Sequence, residues 1–170
     1  PTRHAQQRHI LLTACLIAIV AVSSWRAAAA SPSLSPFTQA NDLAEATRPH
    51  AEAERLLNAG KYDEAIPLAR RALALREHAL GPDHSDVAQS LNTLALLYFN
   101  KSDYAKAEPL YLRALAIDEK ARGPNHPFVA ADLNNLAELY REKGDYAKAE
   151  PHYRRGLAIE ALASVDEQAN

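Results

Sequence analysis

The chain carries seven histidines, one cysteine and a scatter of serines and carboxylates, the residue types from which metal sites and nucleophilic centres are built. Their spacing does not support either chemistry. His84 and His126 each follow a Gly-Pro pair 42 residues apart, as loop or helix-capping residues would. His4 and His9 fall in a basic leader, and His50, His78 and His152 lack the partner four residues away that lets two imidazoles share a metal. Cys15 alone can form neither an internal disulfide nor a cysteine zinc site. Ser90 and Ser102 have no nearby base, no glycine-rich phosphate loop is present, and Asp118-Glu119 reads as a solvated helix face. No catalytic residue, metal or cofactor is expected.

Charge narrows the partners. All 21 acidic residues but only 16 of the 19 basic ones follow Ser31, which leaves that part of the chain at −5. A mildly acidic surface without clustered Lys and Arg does not hold phosphates, so nucleic acid is not an expected partner.

The first thirty residues read as an address. "RHAQQRH" is basic, "ILLTACLIAIVAV" is apolar, and "SSWRAAAAS" offers small residues where a signal peptidase cuts. The apolar run of 13 is short for a membrane span of about 20 residues. Residues 1–30 are therefore expected to be a signal peptide, with an uncleaved N-terminal membrane anchor as the alternative. "SPSLSPFTQAN", residues 31–41, reads as a flexible linker.

What the chain repeats is a helical pattern. Between His84 and Ile117 and between His126 and Ile159, 22 of 34 positions are identical, and a weaker third copy lies 42 residues earlier. Tyr62, Tyr104 and Tyr146 correspond, as do Ala65, Ala107 and Ala149, and Pro67, Pro109 and Pro151. In the middle copy Val87, Leu91, Leu94, Ala95 and Tyr98 recur at three- and four-residue intervals, one apolar helical stripe. "NKSD" interrupts it, and Tyr104, Ala107, Tyr111, Ala114 and Leu115 begin a second stripe. Gly81 and Gly123 suit the left-handed residue that ends a helix, and Pro82 and Pro124 prevent continuation. Asp83 or His84, and Asn125 or His126, are positioned to cap the following helices, and Pro127 suits a first turn. Ala95, Ala107 and Ala114 allow close helix approach beside Tyr98 and Tyr111.

Leu94-Ala95, Tyr98, Tyr104, Ala107, Tyr111 and Ala114 resemble the signature of the tetratricopeptide repeat, and Ala137, Tyr140, Gly144, Tyr146, Ala149 and Tyr153 repeat it. The 42-residue period with "LNNLAELY", "AEPLYLRAL" and "GPNHP" is similar to the repeats of kinesin light chain and its bacterial relatives. The resemblance covers about residues 49–162 and implies an all-α, right-handed α-solenoid of three helical pairs. The repeats are expected at about 49–82, 83–124 and 125–162, within a domain of residues 42–163 followed by a polar, fraying tail, 164–170. Pro49, Glu52 and Leu56 replace the usual Leu, Leu and Tyr, Ser102 replaces a Gly, and Gly156 replaces an Ala.

Stacked pairs bury each other's stripes and leave a curved inner wall. The resemblance implies a non-catalytic protein-interaction scaffold, with Asn92 and Asn134 at equivalent inner positions of a peptide groove. An amide offers both donor and acceptor to a peptide backbone. It could equally bond the neighbouring repeat. Gln89, Leu96, Phe99, Glu138 and Arg141 are the other expected partner-binding residues. Leu96 and Phe99 become Glu138 and Arg141 in the last copy, and Leu110 and Leu112 become His152 and Arg154, so the last pair is expected to cap itself. The partner is expected to be a protein or peptide met outside the cytoplasm, in the periplasm or secreted if the source is bacterial. The alternatives are a self-assembling structural protein, dimerising weakly through its open first repeat, and an accessory subunit of an envelope enzyme complex.

Overall fold

The structure is a computed structural model and describes residues 36–168, with side chains from 38 to 164. The expected export segment, 1–30, the first part of the linker, 31–35, and the end of the tail, 169–170, lie outside the described residues. Within them the chain forms six helices: α1 (Pro36–Asn58), α2 (Tyr62–Leu80), α3 (Ser85–Asn100), α4 (Tyr104–Arg122), α5 (Pro127–Glu142) and α6 (Tyr146–Gln168). They pair in sequence, α1 with α2, α3 with α4 and α5 with α6; α2 then packs on α3, and α4 on α5. This is an all-α solenoid of three hairpins.

Local chemistry sets each boundary. His84 and His126 are N-caps, their Nδ1 atoms accepting from the backbone N–H of Asp86 at 3.1 Å and of Phe128 at 3.2 Å. Pro127 stands in the first turn of α5, where no donor is needed. Gly81 and Gly123 close α2 and α4 with positive φ, as expected, but their ψ values of 162° and 155° are extended rather than left-handed helical. That combination is open essentially to glycine alone. Within each hairpin the turn runs through a left-handed residue, at Gly60, Ser102 and Gly144, so Ser102 adopts φ 60° where the other two copies use glycine.

The two periodic stripes meet as expected. Ala95, Ala107 and Ala114 are fully buried, with Tyr98 and Tyr111 beside them; Ala137, Ala149 and Tyr140 repeat the arrangement. The recurring prolines, Pro67, Pro109 and Pro151, sit on the exposed side of α2, α4 and α6, and the helices run through them. Each lacks the donor for the carbonyl four residues earlier, which an exposed face leaves open to water. A clamp also recurs: Arg113 and Arg155 lie 2.5 Å from Glu77 and Glu119, and each donates to the carbonyl of Pro82 or Pro124. It ties the second helix of each pair to that of the next.

Three expectations about boundaries are corrected. α1 begins at Pro36, so residues 36–41 are helical rather than a flexible linker, and the first repeat starts well before 49. Ala46, Ala53 and Leu56 bury one face of this helix, while the Glu45–Arg71 ion pair and a 2.6 Å contact between Asp42 and His78 tie its outer part to α2. These partners are distant in sequence, and the helix runs through Pro49. At the other end α6 continues to Gln168, so most of the expected tail is helix.

The third correction concerns the cap. Leu157 is 62% exposed and Tyr146 is 69% exposed, whereas Leu115, at the matching position one pair earlier, is 8% exposed. The polar replacements at Arg141 and Arg154 border this face, but Tyr146 and Leu157 keep its centre apolar.

Candidate functional site: a cleft across the first helices

α1, α3 and α5 lie side by side along the stack, and together with α4 they enclose a cleft of about 320 Å³. Its apolar walls are Leu57 of α1, Leu96 of α3 and Phe128 of α5. Leu96 and Phe128 keep 36% and 53% of their surface exposed. Gln89, Asn92 and Asn135 supply amides, and Glu54, Asp86, Asp118 and Arg122 supply charge. The Arg122 guanidinium stands 4.4 Å from the Phe128 ring centroid and donates to Asp118 at 3.1 Å, so cleft wall and stacking seam are one structure.

Beneath the cleft the seams between pairs are polar at their inner edge. Between the first and second pairs, Arg76 donates to the Asp86 carbonyl at 2.9 Å, to Gln89 Oε1 at 3.2 Å and to Ser90 Oγ at 2.8 Å. Burial lowers its pKa, against the pull of Asp86 and Glu54. His50 occupies in the first pair the place of Asn92 in the second. It is buried, its Nε2 lies 3.3 Å from Glu54 Oε1 without hydrogen-bonding geometry, and its ring nitrogens are unpartnered. Burial, then the Arg76 charge, lowers its pKa and keeps it neutral.

Between the second and third pairs, Asn92 Nδ2 donates to Asp132 Oδ1 at 2.5 Å. Asp132 is 1% exposed, and its Oδ2 and the Asn92 Oδ1 are both buried without a partner. Burial pushes the Asp132 carboxyl up to about 7, the Asn92 hydrogen bond opposing and the charges of Asp118 and Glu119 reinforcing the shift. Asp118 is itself 4% exposed, which corrects its reading as a solvated helix face.

Of the seven expected partner-binding residues, Gln89, Asn92 and Leu96 come together on the cleft wall. Phe99 is half-buried, its ring 5.7 Å from that of Tyr104. Asn134 donates to Glu160 at 2.9 Å, within its own pair. Glu138 accepts from the Tyr153 hydroxyl at 2.7 Å, and Arg141 is ion-paired with Glu138 and Glu142. Arg141 borders a second depression of about 510 Å³ with Tyr146, Tyr153 and Leu157, on the open end of the stack. Glu54, Asp86 and Phe128 escaped the sequence reading. Phe128, an apolar residue directly after a helix-opening Pro127, carried a legible signal; the two carboxylates carried none. Among the described residues no cluster of His, Cys, Asp or Glu could hold a metal, and no helix is long and apolar enough to cross a membrane.

A stack of helical hairpins with a cleft along its first helices is a repeat scaffold, the class that holds proteins or peptides. A family profile described as tetratricopeptide repeat matches residues 42–120 and 86–159, and the chain belongs to that family. Its repeats are of the kinesin light chain type. BtubC (BKLC) from P. vanneervenii is similar in structure, with a TM-score of 0.65 and 28% identity over 70% of this chain and 48% of that one. A Podosopora anserina kinesin light chain protein with nearly identical TPR-like repeats matches at TM-score 0.62 and 26% identity, covering 68% of this chain and 55% of that one. The chain thus spans about half the length of these relatives. The TPR domain of Arabidopsis FLU shares the fold at TM-score 0.63 and 18% identity, over 73% of this chain and 98% of that domain. No curated protein matches the sequence. Proteins of this family are generally non-catalytic scaffolds that bind protein or peptide partners.

Proposed function

We propose that the chain is a scaffold that works outside the cytoplasm and holds an extended segment of a partner protein in the cleft across α1, α3 and α5. One observation carries the reading: exposed Leu96 and Phe128 flank the Gln89 and Asn135 amides, so apolar anchors and backbone-pairing amides occur together. The order of basic, apolar and small residues in 1–30 supports export or membrane anchoring.

Partner capture with the full chain and with a Gln89→Ala/Leu96→Ala variant tests the cleft. The variant is expected to melt close to wild type, both side chains being exposed, and to lose its partners. A folded variant that retains every partner would falsify the assignment. The mass of the N-terminal fragment recovered from the native envelope tests export: a protein lacking residues 1–30 indicates cleavage, and a membrane-bound full-length chain indicates an anchor.

A second reading rests on the open end. Tyr146, Tyr153 and Leu157 surround the depression beside Arg141, Glu150 and Arg154, an apolar centre with both charges at its rim, which suits self-assembly. Light scattering separates the two: a mass independent of concentration, unchanged in Leu157→Glu, removes self-assembly.

A further inference from the structure

Building on the reading of the cleft as a peptide groove, we propose that it selects a basic residue, Lys or Arg, next to an apolar one, in an extended segment. The side chains lining the cleft carry three carboxylates and one guanidinium. Arg122 is committed to Asp118 and to the face of Phe128. Glu54 and Asp86 are different. The side chain of each is 48% exposed, and among the described residues the only basic side chains within 4 Å of them are histidines. His50 is kept neutral by burial beside Arg76. The His84 Nδ1 accepts the Asp86 backbone N–H, so that nitrogen carries no proton for the carboxylate. Arg76 lies below both, bonded to a carbonyl, an amide and a hydroxyl; among the described residues no carboxylate lies within 4 Å of it.

With Arg76 and Arg122 counted against Glu54, Asp86 and Asp118, the site is left one negative charge in excess. A Lys or Arg from a ligand neutralises it, whereas an Asp or Glu doubles it. Behind the wall Asp132, 1% exposed and with one oxygen unpartnered, adds to the negative field whenever it is ionised. The apolar neighbour has its place against Leu57, Leu96 and Phe128, and the Gln89 and Asn135 amides are set to bond the ligand backbone between.

The test sorts a bead-displayed library of random octapeptides against the full chain and sequences the peptides retained. Enrichment of Lys or Arg beside Leu, Ile, Val or Phe is expected, and it should weaken as salt is raised. The Glu54→Gln/Asp86→Asn variant should weaken binding of the basic peptides about two- to fivefold per carboxylate while leaving uncharged apolar peptides bound as before. Peptides enriched in Asp or Glu, or bound without charge preference but lost in Gln89→Ala/Leu96→Ala, overturn the ligand class and leave the groove standing. If nothing is enriched, or if enrichment survives the Gln89→Ala/Leu96→Ala change, groove and ligand class fall together.

Discussion

The two seams of the stack share one apolar frame and differ in the polar groups at their inner edge. Val87, Leu91, Leu94 and Tyr98 of α3 occupy the frame that Val129, Leu133, Leu136 and Tyr140 occupy in α5, and all eight are buried. The polar positions at the inner edge correspond just as closely, but their contents differ. The first seam holds Arg76, Ser90 and His50; the second holds, in the same order of positions, Asp118, Asp132 and Asn92. The half-buried cation of one seam is replaced in the other by two buried carboxyls, Asp118 paired with Arg122 and Asp132 holding its proton up to about pH 7. The lesson is that stacking and charge are separable in this fold. Aliphatic and tyrosine positions make the contact, and a few inner polar positions decide what field the cleft above it presents.

The last pair extends the comparison, because its residues match the second seam and, among the described residues, nothing is stacked on them. The largest difference expected in the molecule follows. Leu115→Ala should cost about 2–4 kcal/mol in denaturant unfolding, since it opens a cavity in a closed seam. Leu157→Ala, the same change on the open face, should cost less than about 0.5 kcal/mol. Equal costs would mean that the open face is covered in solution, which points to self-assembly.

Asp132 gives the next effect in size. The folded state holds its proton up to about pH 7, whereas the free carboxyl loses it near 3.8. Stability therefore falls as pH rises between those two values and stays lower above them. Asp132→Asn keeps an acceptor for Asn92 and removes the charge, so it should stabilise the chain by about 1–3 kcal/mol at pH 8 and by little at pH 4. Ser90→Ala in the first seam should show no such pH dependence. If Asp132→Asn is neutral at pH 8, the buried acid has a partner in solution.

The smallest effect sharpens the contrast between Asn92 and Asn134. Asn92 reaches forward to Asp132 of the next pair; Asn134 turns back to Glu160 over Gly156. A Cβ at position 156 would meet the Asn134 Oδ1 at 2.6 Å, and the matching residue under Asn92 is Ala114. Gly156→Ala should therefore gain helix propensity and lose the Asn134 position, leaving stability within about 0.5 kcal/mol of wild type. In an Asn134→Ala background the same change should stabilise by about 0.5–1 kcal/mol. Additive effects in this double-mutant cycle would show that Asn134 does not rest over Gly156.

Much of this was legible in the sequence. The spacing of Val87, Leu91, Leu94 and Tyr98, the 42-residue repetition and the capping residues His84, His126 and Pro127 specify helices, hairpins and their number, because these depend on neighbours within a few turns. Gln89, Asn92 and Leu96 were legible as inner residues for the same reason. The helix that starts at Pro36 and runs through Pro49 was not, since its outer part packs on Arg71 and His78 of another helix.

By itself, then, the amino-acid order determined an all-helical chain of hairpins and which stripe of each helix is oily. The tertiary structure alone decided which identical residues are buried, as with Leu115 and Leu157, and which inner amides face the cleft. Burial and side-chain direction depend on what stands opposite, and repeated residues have different neighbours at each level of a stack. For the same reason only the assembled stack shows that two carboxylates from α1 and α3, unremarkable in their own helices, border one cleft.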